Sequence, residues 1–215
     1  MFITFEGPEG SGKTSQILPL AAFLKSQGYS IATTREPGGT EIGDQVRSVL
    51  TRLENTNMHP RTEILLFLAA RAQLVEEFIR PGMARGSLVL CDRYADSTLA
   101  YQGYGHGLDL TLLRQMLNFA TGALWPDLTF LLDLDPMLGL NRKKKAGEWN
   151  RLDAYGIEFH QRVRMGYLQM AKEDPKRWVI IDASQPFEAV QEQLRAEIVQ
   201  RVPRPIVSSS NENLK

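Results

Sequence analysis

A glycine-rich segment near the N-terminus, GPEGSGKT, limits the possible folds of this 215-residue chain more than any other feature. It matches the pattern G-x-x-x-x-G-K-[ST], follows an apolar run at 2–6 and precedes a stretch with helical periodicity. In such a strand–loop–helix unit, backbone N–H groups and the positive end of the helix surround a phosphate group. We therefore expect a phosphate-binding loop, made of Gly7, Pro8, Glu9, Gly10, Ser11, Gly12, Lys13 and Thr14.

Apolar and β-branched runs predict five strands, at 2–6, 29–34, 88–91, 128–134 and 178–181. The runs are nearly continuous rather than alternating, which is typical of parallel strands covered on both faces. Helical stretches are predicted between and after them, at 13–27, 41–53, 60–83, 109–120, 136–146, 155–173 and 186–201. This alternation indicates a doubly wound α/β sheet. We expect one domain over 1–202 and a disordered Pro/Ser/Asn-rich tail at 203–215.

Composition excludes several classes of protein. With 25 basic and 25 acidic residues, the chain lacks the positive field that supports non-specific nucleic-acid binding. A single cysteine, Cys91, cannot form an intrachain disulfide, which favours a reducing compartment. No apolar run reaches the roughly 18 residues of a membrane span, and the N-terminus is unlike a signal peptide. We expect a cytoplasmic protein that binds neither nucleic acid nor membrane.

Charged residues follow the predicted strands at the edge where an open α/β sheet binds its ligands. Lys13 is expected to reach the β- and γ-phosphates of a nucleoside triphosphate, and the Thr14 hydroxyl to bind Mg²⁺. Two further cations follow the second and third strands, within REPGG (35–39) and as Arg93. They exceed what one triphosphate with Mg²⁺ needs, which suggests a second anionic substrate.

The predicted helix at 60–83 carries Phe67 and, one turn later, Arg71. An arginine among apolar residues needs an anion. The pair is therefore typical of an aromatic ring that stacks on a base beside a guanidinium that binds a phosphate. Two other interpretations stay open. In the first, Arg71 pairs with an acid such as Glu63 or extends to solvent. In the second, Phe67 is a residue of the apolar core.

Five segments together resemble the thymidylate kinase family: FEGPEGSGKT (5–14), TREPGGT (34–40), LLFLAARAQLVEE (65–77), DRYADSTLAYQG (92–103) and GLNRKKKAGEWNRLD (139–153). The resemblance implies a three-layer P-loop NTPase fold around a five-stranded parallel sheet. It also implies transfer of the γ-phosphoryl of ATP to dTMP, giving dTDP and ADP for dTTP synthesis. Mg²⁺ is the expected metal, on Thr14 and Asp92, and a homodimer the expected assembly.

The resemblance also implies a pocket for dTMP. Glu9 corresponds to the acid that contacts the deoxyribose 3′-hydroxyl, and Tyr101 to the ring that disfavours a ribose. The remaining positions hold the phosphate or the base, and they are Glu36, Pro37, Arg47, Phe67, Arg71, Arg93, Ser97, Thr98 and Gln102.

The basic stretch at 139–153 corresponds to a lid that closes over the triphosphate. Members of the family have a catalytic arginine either in the phosphate loop or in the lid. Because this phosphate loop contains no arginine, the chain resembles the bacterial members whose lid supplies the catalytic arginine. The candidates for this arginine are Arg142 and Arg151, and Arg142 is expected to contact either the adenine or the γ-phosphate. With Lys13 and Arg93 they form the expected catalytic set. The alternative is a solvated charge run.

Two other functions are compatible with the phosphate loop. A deoxynucleoside kinase would use a carboxylate base on a neutral hydroxyl, and three arginines on the acceptor side argue against it. A non-kinase P-loop ATPase module would hydrolyse ATP without stimulation by dTMP.

Overall fold

The computed structural model describes residues 1–203 and contains one five-stranded sheet whose paired strands all run parallel, in the order β2-β3-β1-β4-β5. The predicted fold class is confirmed. The strands are β1 (Phe2–Glu6), β2 (Ile31–Arg35), β3 (Leu88–Asp92), β4 (Leu128–Asp133) and β5 (Trp178–Asp182). Each lies within two residues of its predicted bounds.

Helices cover both faces of the sheet. They are α1 (Lys13–Ser26), α2 (Glu41–Thr51), α3 (Pro60–Leu74), α4 (Arg80–Ala84), α5 (Ala95–Thr98), α6 (Leu110–Thr121), α7 (Pro136–Ala146), α8 (Ile157–Glu173) and α9 (Phe187–Arg201). The predicted helix at 60–83 is α3 and α4, joined by a π-helical segment at Val75–Ile79. Of the tail at 203–215, all but Pro203 lies outside the described residues.

Two apolar cores explain why the strands read as continuous apolar runs. Within β1, Phe2 faces one core, whereas Ile3 and Phe5 face the other. Helices α1 and α9 cover the second core, and α3, α6 and α8 cover the first. Because helices pack on both faces, the sheet forms the middle of three layers.

Helical structure at 95–105 is not among the sequence predictions. The chain forms α5 and then a π-helical segment at Leu99–Gly105, with all but Tyr104 of these seven residues buried. A π-helical turn breaks the regular helical period, and two glycines further obscure the pattern, so periodicity gives no signal here. This segment carries Tyr101 and Gln102 to the ligand-binding edge.

Candidate active site

A cavity of about 1030 Å³ lies at the carboxyl ends of the strands, where an open parallel sheet binds ligands. Its volume is at the upper end of the range for ligand pockets, which leaves room for more than one small molecule. Most of the predicted site residues line it, namely Glu9, Gly10, Ser11, Gly12, Lys13, Thr14, Glu36, Pro37, Arg47, Phe67, Asp92, Arg93, Ser97, Thr98, Tyr101, Gln102 and Arg142. Four predicted site residues do not line it: Gly7, Pro8, Arg71 and Arg151.

The phosphate loop curls around the ammonium group of Lys13. This group donates to the carbonyls of Gly7 (3.0 Å) and Pro8 (2.9 Å) and to the hydroxyl of Ser11 (3.1 Å). Burial, followed by repulsion from Arg93, lowers the pKa of Lys13 to about 8. An anionic phosphate would offset both effects, so this loop is suited to bind one.

Gly10 brings the loop against the start of α7. A Cβ at Gly10, whose φ is +68°, would clash with the carbonyl of Gly139, and a Cβ at Gly139 would clash with the carbonyl of Glu9. Two glycines therefore allow the phosphate loop and the predicted lid to meet backbone to backbone.

Thr14 and Asp92 form a pair of oxygen ligands at the end of β3. The Thr14 hydroxyl donates to the Asp92 carboxylate over 2.5 Å, and both side chains line the cavity. Residues 1–203 contain no cluster of three or more His, Cys, Asp or Glu side chains suited to a metal. One hydroxyl and one carboxylate fit Mg²⁺, which takes its other ligands from phosphates and water.

Arg93 lies beside the phosphate loop with an unusual backbone. Its φ of 67° is in the left-handed region, which a non-glycine residue seldom adopts. Its guanidinium donates to the Gly7 carbonyl (3.0 Å) and the Glu9 carboxylate (2.9 Å). The Gly7 carbonyl thus accepts from both Lys13 and Arg93, so two cations meet at one oxygen atom.

Glu9 joins three groups around the mouth of the loop. Its carboxylate accepts from Arg93 (2.9 Å), from the Tyr101 hydroxyl (2.9 Å) and from Lys143 (3.2 Å). Burial alone would raise the pKa of Glu9, but the charges of Arg93 and Lys143 outweigh it and hold that pKa well below its usual value. Glu9 is therefore ionised at neutral pH.

Arg71 is 1% exposed and lies behind the cavity wall. Its guanidinium donates to both oxygens of Glu36, the shortest contact being 2.6 Å, and to the Thr98 hydroxyl (2.9 Å). The counter-charge is thus Glu36 and not Glu63, the partner weighed above. Phe67 is half-buried and lines the cavity, so it is not simply a core residue.

The two lid arginines have different surroundings. Arg142 lines the cavity and donates to the carbonyl of Ala183, in the loop after β5 (3.2 Å). Arg151 is 6% exposed; it donates to the Glu63 carboxylate (2.5 Å) and the Leu50 carbonyl (2.9 Å). It also donates to the Tyr155 hydroxyl (3.1 Å), four residues further along the chain.

Lys143, which follows Arg142 in the chain, lines the cavity and contacts the phosphate loop. Its ammonium group contacts both oxygens of Asp153 (2.8 and 2.7 Å) as well as Glu9. Sequence reasoning missed this residue because three consecutive lysines carry no signal that separates one from the next.

Comparison with known proteins agrees with this geometry. The sequence model of the family described as thymidylate kinase matches residues 5–194. A thymidylate kinase of Roseiflexus sp. strain RS-1 is 51% identical over 208 residues, covering 91% of this chain and 92% of the relative. That of Deinococcus radiodurans is 49% identical and covers 94% and 97%, respectively. A crystal structure of Ehrlichia chaffeensis thymidylate kinase superposes with a TM-score of 0.74 at 35% identity, covering 93% of this chain and 98% of that one.

Helices long and apolar enough to cross a bilayer are absent from residues 1–203.

Proposed function

The chain belongs to the thymidylate kinase family, which transfers a phosphoryl group from ATP to dTMP, and we propose how its residues divide that work. One observation carries the proposal. The carbonyl of Gly7 accepts hydrogen bonds from Lys13 and from Arg93 (both 3.0 Å), so a cation of the donor site and a cation of the acceptor site lie side by side. Two phosphates bound there would meet at that point.

ATP occupies the phosphate loop in this proposal. Backbone N–H groups of residues 9–14 and the ammonium group of Lys13 hold its β- and γ-phosphates. Thr14 and Asp92 hold Mg²⁺, which when bound neutralises charge on phosphate oxygens. We assign Arg142 to the adenine, and its contact with the loop after β5 supports this assignment.

Nucleotide dTMP occupies the other half of the cavity. Arg93 and Arg47 hold its phosphate, and Phe67 stacks on thymine. Ser97, Thr98 and Gln102 offer polar groups to the base, while Arg71 acts from behind the wall by fixing Glu36 and Thr98. Glu9 and Tyr101 contact the sugar, and Pro37 lines the entrance, where its carbonyl accepts from Arg47 (2.9 Å).

Lys143 is the lid cation that we assign to the transferring phosphoryl. It lies 3.2 Å from Glu9 in the phosphate loop, whereas the guanidinium of Arg151 is paired with Glu63 outside the cavity lining. A preorganised ammonium group supplies positive charge without the bidentate fork of arginine. The catalytic role expected for Arg151 stays a prediction, which its buried ion pair does not favour.

The reaction needs positioning and charge more than proton transfer. A phosphate oxygen of dTMP is already anionic near pH 7, so it attacks the γ-phosphorus without a strong general base. Catalysis then consists of aligning the two phosphates and neutralising a loose, in-line transition state. We expect Lys13→Ala and Arg93→Ala each to lower kcat by a factor of about 10²–10³ or more, with folding retained.

An ADP-release assay with and without dTMP tests this proposal. We expect ADP formation to require dTMP and to stay near background with thymidine, which has no phosphate for Arg93. ADP release that ignores dTMP would favour the ATPase alternative, and turnover of thymidine would favour the deoxynucleoside kinase alternative.

We also propose that the protein is a homodimer. Leu112 and Phe119 lie seven residues apart on one face of α6 and are 55% and 92% exposed. Leu65 of the neighbouring α3 is also exposed. A second copy of the chain would bury these apolar side chains.

A further inference from the structure

Glu6 is a buried carboxylate that the mechanism above does not use. It ends β1, directly before the phosphate loop, and its side chain is fully buried. One oxygen accepts from the Tyr94 backbone N–H (2.7 Å), and the other from the hydroxyls of Ser97 (2.6 Å) and Tyr167 (2.9 Å). A buried carboxylate is costly unless such partners satisfy it, and those three partners come from the turn after β3, from α5 and from α8.

The two hydroxyls that contact Glu6 also contact Arg93. The Arg93 guanidinium lies 3.3 Å from the Ser97 oxygen and 3.2 Å from the Tyr167 oxygen. The two hydroxyl oxygens also lie 2.8 Å apart, and each hydroxyl has one proton. Whether that proton goes to Glu6 or to the other hydroxyl, the lone pairs of the oxygen are left for Arg93. The carboxylate therefore orients a layer of two hydroxyls whose oxygens face the guanidinium.

Glu6 also holds the backbone turn that carries Arg93. Tyr94, whose N–H donates to Glu6, directly follows Arg93, and the Arg93 N–H donates to the Phe5 carbonyl (2.9 Å). Arg93 has its strained φ of 67° between these two bonds. A strained backbone conformation persists only when its surroundings hold it in place, and these two hydrogen bonds do so at Arg93.

The charges near Glu6 determine the pH at which its role can be tested. Burial and the nearby Asp96 raise the pKa of Glu6 to about 7, while Arg93 opposes them. Asp96 is itself paired with Arg177 (2.6 Å). At pH 8 Glu6 is therefore mostly ionised.

We propose that Glu6 is a positioning residue, which presents the Arg93 guanidinium to the acceptor phosphate through Ser97, Tyr167 and the Tyr94 backbone. The inference rests on the proposed function, in which Arg93 binds the phosphate of dTMP. It predicts that Glu6 matters for ligands that carry that phosphate and not for those that lack it.

Calorimetric titration with dTMP and with thymidine at pH 8 tests the inference. Glu6→Gln keeps the shape of the side chain and removes its charge. We expect its Kd for dTMP to rise about 10- to 100-fold, as for lost hydrogen bonds to charged groups, and its Kd for thymidine to change less than about two-fold. Thr4→Val is the matched control, since it removes a buried hydrogen bond of the same strand, to Thr129 (2.9 Å). Both of its Kd values should stay near those of the wild type.

Equal weakening of dTMP and thymidine, or no weakening of either, would overturn the inference, because a merely structural role affects both ligands alike. If Glu6→Gln does not fold, Tyr167→Phe decides: we expect a several-fold rise in the Kd for dTMP alone, and an unchanged value would refute the inference. The Kd values of the wild type for dTMP and thymidine test the proposed function separately. If it bound dTMP no more tightly than thymidine, the role of Arg93 would be refuted and the inference with it.

Discussion

Lys13 shows how single residues at this site depend on their ligands. Its pKa of about 8 belongs to the protein without a phosphate, where burial and Arg93 disfavour the charged form. A bound triphosphate reverses that balance by supplying negative charge. The proton gained on binding is therefore a measure of how closely Lys13 approaches the phosphates.

We predict that ATP binding at pH 8 takes up about half a proton, since about half of the Lys13 side chains are neutral beforehand. At pH 7 the uptake by Lys13 should fall to about a tenth, because the lysine is already charged. Calorimetry in two buffers of different ionisation enthalpy measures it. Lys13→Arg is the control, as arginine stays charged at pH 8. Identical binding heats in both buffers would contradict the shifted pKa.

Sequence reasoning finds some residues of the site and misses others for physical reasons. Gly7–Thr14 and Asp92-Arg93 follow strands, and their position alone directs them to one edge of the sheet. Lys143 has no such marker, and Glu6, although it ends β1, is part of an apolar strand pattern; the proposed roles of both depend on partners that are distant in the sequence. Lys143 acts on Glu9, 134 positions away, and Glu6 accepts from Tyr167, 161 positions away.

At the scale of elements, the lid is held from both ends. Gly139 lets the first turn of α7 lie against the phosphate loop, and Arg151 fixes the short 3₁₀ turn at Arg151–Ala154 to α2 and α3. The same turn contains Asp153, which holds Lys143. In the proposed mechanism, anchoring by Arg151 thus helps to hold Lys143 in place.

We predict that Lys143→Ala lowers kcat about 100-fold or more, because the transferring phosphoryl loses a preorganised cation. Lys143→Arg should keep most of the activity. Lys145→Ala, an exposed lysine of the same run, is the matched control and should stay within about two-fold of the wild type. Steady-state rates with ATP and dTMP measure all three variants. A fully active Lys143→Ala together with an inactive Arg142→Ala would show that the lid cation is the arginine.

Arg151 and Glu63 form a buried pair, so removing either residue leaves the other buried without its ion partner. Glu63 would keep the Gln102 amide (2.8 Å) and the nearby His106 (3.7 Å). We predict that Arg151→Ala and Glu63→Ala each lower the free energy of unfolding by about 3–5 kcal/mol. The double variant should lose less than the two combined. Arg52→Ala, from the exposed pair of Arg52 and Glu54, is the control and should change stability little. Denaturant unfolding measures the series.

A different pattern would restore the catalytic role expected for Arg151 from the sequence. If Arg151→Ala kept its unfolding free energy and lost only kcat, the guanidinium would act on the substrate and its pairing with Glu63 would be incidental.

At the scale of the whole molecule, the fold is predictable and the regions that depart from regular helix geometry are not. Continuous apolar strands and helix-period segments specify a three-layer α/β fold, since only burial on both faces explains them. The π-helical segments at Val75–Ile79 and Leu99–Gly105 break the helical period, so no pattern announces them. The second of these carries Tyr101 and Gln102 to the cavity, so the resemblance to a family, and not periodicity, is what points to these two residues.

The homodimer makes a prediction of its own. Phe119→Glu places a charge in the centre of the apolar face of α6, so it should shift the protein towards monomer in sedimentation equilibrium. Leu18→Glu is the control, because Leu18 is similarly exposed on α1, in the opposite layer, and should leave the assembly unchanged. A wild type that is monomeric at micromolar concentration would contradict the proposal.

The most direct test is a crystal structure with dTMP and a non-hydrolysable ATP analogue bound together. We predict that the dTMP phosphate contacts Arg93, that the terminal phosphate of the analogue contacts Lys13 and Lys143, and that the attacking oxygen lies about 3–3.5 Å from the γ-phosphorus, in line with its leaving group. A pocket beside Arg93 and Phe67 that stayed empty, or that held an uncharged molecule, would contradict the account.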